Sequence, residues 1–179
     1  MKITVFGSGR PVPDEPDYEQ AKQLGALIAR AGHTVLTGGY IGTMEAVSRG
    51  ANEAGGLVIG VTCDEIENFR PGKANPWVTE EWRRHTLLER LQTLIEACDA
   101  AIALPGGPGT FTEITLSWNL LVIHAITPKP LVLLGEGWRR VFEEYRRMLG
   151  QYPAESDWRW LVFAANNTEA LHLAVNHRV

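Results

Sequence analysis

The chain has 179 residues, 45% of them hydrophobic, enough to build one domain with a substantial core and with no composition break that would divide it. Its net charge is −4, and no run of Lys or Arg reaches the density of a nucleic-acid footprint or a membrane-binding face. A single domain over residues 1–179, with neither nucleic acid nor membrane as partner, is the expectation.

The opening MKITVFGSGRPVP has a short apolar run before its glycines and prolines, which suits a first strand at 3–6 and not a signal peptide. No apolar stretch approaches a membrane span, so a cytoplasmic location is expected. A helix at 17–31 follows, then a strand at 34–37, the glycine turn TGGYIGTM, a helix at 40–54 and a strand at 57–61. The stretch 63–80, with Pro71, Gly72, Asn75 and Pro76, reads as a loop with a short extra strand at 77–79. Helices are then predicted at 83–98, 110–123, 137–149 and 167–176, and strands at 100–104, 130–134 and 160–163. Short apolar strands alternating with amphipathic helices fit a parallel sheet covered on both faces, and right-handed crossovers make it a doubly wound, Rossmann-like α/β fold. Cys63 and Cys98 are far apart and form no CxxC pair, so they read as packing residues.

In such a sheet, ligands lie at the carboxyl ends of the strands where the winding reverses. Three glycine clusters fall at strand ends: Gly7-Ser8-Gly9-Arg10, Gly38-Gly39 and Gly106-Gly107-Pro108-Gly109-Thr110. Glycine lets backbone N–H groups approach an anion closely, and a following helix adds its positive end. A phosphate-bearing ligand is therefore expected. Dinucleotide and P-loop signatures fail, because Val12 stands at the third glycine of GxGxxG, no acidic residue ends the second strand, and no GK[ST] closes a glycine loop. His33, His85, His124, His172 and His177 have no metal-ligand spacing, so neither a metal nor another cofactor is expected.

The segment LPGGPGTFTE matches the PGGxGTxxE signature of the LOG-like family, the cytokinin riboside 5'-monophosphate phosphoribohydrolases, for which an older label is "possible lysine decarboxylase". ITVFGSG resembles that family's opening strand and phosphate loop, and TGGYIGTMEAVSRGANEAGGLVIGV is similar to its second glycine segment. Arg90 also stands where the family has an arginine. The resemblance covers roughly residues 3–134, and the superfamily includes molybdenum-cofactor carriers. It implies a homodimer and hydrolysis of the N-glycosidic bond of a nucleoside 5'-monophosphate, AMP or cytokinin-type, to free base and ribose 5-phosphate.

Cleavage of a ribosidic bond builds positive charge on the sugar, which a carboxylate can stabilise while activating water. With the resemblance, Glu113 takes that role. Arg90 is then expected to orient phosphate or ribose, and Gly7, Ser8, Gly38, Gly39, Gly106, Gly107, Gly109 and Thr110 to hold the nucleotide. Plainer readings stand beside these. Thr110-Phe111-Thr112-Glu113 is also a capping box, and Arg90 lies at the boundary of its helix's apolar face, where arginines commonly cover apolar surface. Leu91 and Thr112 depart from the family pattern, which has a lysine and a glutamate there, and Arg10 offers a replacement cation. An enzyme and a non-catalytic nucleotide or molybdenum-cofactor carrier both stay open. Lysine decarboxylation carries little weight, because Lys2, Lys22, Lys73 and Lys129 all lie outside the glycine loops. Trp118, Leu121, Val122 and Leu94 are expected at the dimer interface, as more apolar surface than one sheet face covers.

Overall fold

The computed structural model describes residues 1–69 and 72–177; Pro71 of the expected loop lies outside them. Seven strands, β1 (Lys2–Phe6), β2 (Thr34–Thr37), β3 (Val58–Cys63), β4 (Glu80–Arg84), β5 (Ala100–Ala103), β6 (Leu131–Leu134) and β7 (Leu161–Ala164), form one sheet. Their order is β4-β3-β2-β1-β5-β6-β7, and every pairing is parallel. The helices are α1 (Pro16–Arg30), α2 (Thr43–Glu53), α3 (Asp64–Phe69), α4 (Leu87–Glu96), α5 (Pro108–Val122), α6 (Glu136–Leu149) and α7 (Asn167–Asn176), with a 3-10 turn at Glu155–Trp160. The fold is α/β and doubly wound, as the alternation of strands and helices implies.

Alternate strand residues feed two separate cores, because successive side chains leave opposite faces of a sheet. Ile3, Val5, Val35, Ile102 and Val132 meet α1, α2 and α7 on one face. Phe6, Leu36, Val61, Ala103 and Leu133 meet α4, α5 and α6 on the other. Strands buried on both sides cannot show a polar alternation, and this explains their uniform apolar sequences.

The largest differences from expectation lie between β3 and α4. The extra strand lies at Glu80–Arg84 and not at 77–79; its sequence EEWRR is mostly solvent-facing, and parallel pairing with β3 holds it at the sheet edge. Helix α4 consequently begins at Leu87, where Thr86 and Glu89 form a reciprocal capping box. The region after β3 carries α3, a six-residue helix too short to show periodicity.

The apolar surplus expected at an interface is largely covered within the chain. Leu94 and Leu121 are buried in the second core. Trp118 packs edge-on against Phe142 and Tyr145 and tilts over Trp158, and its indole N–H donates to the Asp157 carbonyl (2.8 Å). Helix α6 and the 3-10 turn supply this cover. Among the described residues, no helix is long and apolar enough to cross a membrane.

Candidate functional site

The winding reverses between β1 and β5, and the loops leaving their carboxyl ends flank a cleft of about 260 Å³. Gly7, Ser8 and Arg10 line one wall, and Gly107, Gly109 and Thr110 another. A larger groove of about 490 Å³ runs between α1 and α2, but none of the three strand-end glycine clusters lines it.

Helix α5 opens into the cleft. Gly107 is its N-cap and Pro108 its first residue, and no side chain caps it. Proline suits that position because its fixed φ is already helical and its missing N–H would have no partner there. The amides of Gly109 and Thr110 thus remain available at the positive end of a helix, a suitable place for an anion. This start also removes the capping-box reading of Thr110 and Glu113. Thr110 already lies inside the first helical turn, and Glu113 points into the cleft with no backbone amide to cap.

Glu113 is 8% exposed, and its nearest cation is the Arg90 guanidinium, Nη1 to Oε1 4.0 Å. Burial pushes its pKa up to about 7, while Arg90 pulls the other way. A carboxyl group that exchanges its proton near neutral pH, inside a glycine-lined cleft, is equipped for proton transfer.

Arg90 is buried, contrary to the boundary position its helical wheel gives. Its Nε donates to the Val61 carbonyl (2.7 Å) and its Nη2 to the Gly38 carbonyl (3.2 Å), so β3 and the end of β2 hold the guanidinium from behind. The guanidinium also lies 5.6 Å from the Tyr40 ring centroid. A wheel considers only the residue's own helix, whereas two strands complete this environment.

Of the expected site residues, the cleft brings together Glu113, Arg90, Gly7, Ser8, Gly107, Gly109 and Thr110. Gly38 and Gly39 are buried behind its wall, and Gly106 is exposed in the adjoining groove beside Ser8 and Arg10. A side chain on Gly38 would run into the Arg90 guanidinium and the Met44 sulfur, and one on Gly106 into Thr110. Gly39 has φ +77° and backs onto Gly60. These three serve close packing that places other groups.

Tyr40, Met44 and Ile66 also line the cleft and escaped sequence reasoning. Tyr40 sits inside a glycine turn, a signal that was available; Ile66 belongs to the short α3. Asn75 is buried, and its amide donates to the carbonyls of Gly39 (3.0 Å) and Tyr40 (2.9 Å), tying the expected loop to the glycine turn.

A model of the SLOG cluster4 family matches residues 1–149. An uncharacterized protein of Archaeoglobus fulgidus is 32% identical over 149 residues, 80% of this chain and 88% of that protein. A cytokinin riboside 5'-monophosphate phosphoribohydrolase of Rhodococcoides fascians is 33% identical over 150 residues, 82% of this chain and 71% of that protein. Among solved structures, the molybdenum cofactor binding protein of Rippkaea orientalis aligns with a TM-score of 0.75 at 26% identity, covering 96% of this chain and 93% of the other. The molybdenum cofactor carrier protein of Chlamydomonas reinhardtii aligns with a TM-score of 0.71 at 27% identity, covering 95% and 92%.

Proposed function

The chain belongs to the SLOG cluster4 family, and from that premise we propose that it hydrolyses the N-glycosidic bond of a nucleoside 5'-monophosphate, AMP or cytokinin-type, to free base and ribose 5-phosphate. The observation that carries this reading is Glu113, a buried carboxyl with no capping role, which faces the cleft one turn into the helix whose uncapped start opens into it. Phosphate would accept from the Gly109 and Thr110 amides and from the Ser8 and Thr110 hydroxyls. Arg90 would hold the Glu113 carboxylate and orient phosphate or ribose with its planar fork. As the bond from C1' to the base nitrogen breaks, Glu113 faces the positive charge on the sugar and takes a proton from the attacking water, while the nitrogen keeps the bonding pair and takes a proton from solvent.

Glu113→Gln tests it. The substitution keeps shape and removes charge, so adenine release from AMP, followed by chromatography, should fall about 100-fold or more. Melting temperature should not fall, and phosphate affinity should hold. An unchanged turnover number would end the catalytic assignment.

A second reading is supported by the likeness to molybdenum cofactor proteins over nearly the whole chain. In that case the same cleft holds a nucleotide or pterin-type ligand without turnover. Tight binding with no base released from any common monophosphate would favour it.

A further inference from the structure

We infer that the nucleotides this cleft cleaves fastest are monophosphates whose base carries a formal positive charge in the ring joined to ribose, a pyridinium or an N7-alkylated purine. The inference rests on the phosphoribohydrolase reading and specifies its substrate.

Hydrolysis of a neutral N-riboside moves two protons. Water must lose one, and the departing base must gain one. Glycoside hydrolases commonly divide these tasks between two carboxyl groups. Here Glu113 is the sole carboxyl among the described residues lining the cleft. The other charged or titratable side chains there are Arg90 from α4, Arg10 from the loop after β1 and Tyr40 from the turn after β2. Arginine stays protonated at any working pH and cannot relay a proton.

The Tyr40 hydroxyl accepts from the Cys63 amide (2.8 Å) and donates to the Cys63 carbonyl (3.1 Å) with the Glu67 carboxylate 3.4 Å away, and burial raises its pKa further from neutrality, so it holds its proton. Thr112, the neighbour of Glu113 on α5, donates its hydroxyl to the Pro108 carbonyl (2.9 Å). The Ser8 and Thr110 hydroxyls do not ionise near neutral pH. Among the described residues lining the cleft, one group is left to exchange protons, since Glu15 and Asp17 lie exposed in the adjoining groove, and it can serve water or the leaving base in a single displacement, not both at once.

A cationic base removes the second demand. The water oxygen bonds to C1', the bond from C1' to nitrogen breaks, and its electron pair stays with the nitrogen, so the base leaves neutral. The proton of water passes to Glu113 and then to solvent. Atoms and charge balance with a single carboxylate, and Met44 and Ile66 give the same cleft apolar side chains against which a ring can lie.

A matched pair isolates this effect: GMP and its N7-methyl derivative share one ribose phosphate and differ in the charge of the base. With the full chain, base release is measured for each and corrected for the uncatalysed reaction. The N7-methyl compound should show kcat/KM higher by about 100-fold or more, the lower end of what a positioned general acid contributes. Nicotinamide mononucleotide should side with it. Equal kcat/KM for the pair would overturn this inference and leave the phosphoribohydrolase reading standing, because a leaving-group acid would then be at work. No release from either compound, with both bound, would overturn both.

Discussion

Burying Glu113 costs stability in a way that depends on pH with a definite sign. Its pKa rises from an ordinary 4.5 to about 7, so between those values the folded chain holds a proton that the unfolded chain has released. Stability is therefore highest below about pH 4.5 as far as this group is concerned, and is lost as pH rises through about 7. The whole effect is on the order of 3 kcal/mol. Glu113→Gln should flatten that part of the stability curve, so denaturant melts at pH 5 and pH 8 should differ less in the variant than in the wild type. If Glu113 acts as a base, kcat/KM should climb with pH and level off above about 7; a fall over the same range would make it an acid. The motif located Glu113 and Arg90, but their environment was not legible. Gly107-Pro108 starts the helix earlier than the Thr-x-x-Glu pattern implies, and the true capping box is at Thr86 and Glu89.

Helix α4 carries Arg90 to the site and is fixed at both ends. The capping box holds its start, and at its end the buried Lys129 ammonium donates to the carbonyls of Ile95, Glu96 and Cys98. A cation at a helix C-terminus satisfies carbonyls that have no helical partner and opposes the negative end of the helix. Lys129 thus has a structural task at the amino ends of the strands, the side of the sheet opposite the glycine loops. Lys129→Met should cost about 1–3 kcal/mol in denaturant melts, since a methionine of similar size fills the space but leaves those carbonyls unpaired. No loss of stability would mean that water satisfies them. At the element scale the sequence read best where strands are buried on both sides. It read worst at β4, whose EEWRR lacks any apolar signature, because pairing to β3 and not burial makes it a strand.

At the scale of the whole molecule, the alternation of apolar runs and amphipathic segments was enough to place the glycine loops at the reversal between β1 and β5. The missed β4 adds to a sheet edge and leaves that reversal untouched. Assembly was less legible, because surplus apolar surface cannot be judged until the cover is known. α6 and the 3-10 turn supply cover that a count of apolar residues on two helices ignores. We propose a homodimer still, now resting on Leu87 and Leu88 at the start of α4, which are 40% and 75% exposed, and not on Leu94 or Leu121. Light scattering at micromolar concentration should then give twice 19.8 kDa. Leu88→Asp separates assembly from folding. An aspartate in the first turn of a helix is favoured by the helix dipole, so the chain should fold with an unchanged circular dichroism spectrum. The same carboxylate buried at an interface without a partner is costly, so the variant should scatter as a monomer. A wild-type monomer, or a variant that stays dimeric, would remove this face from the assembly.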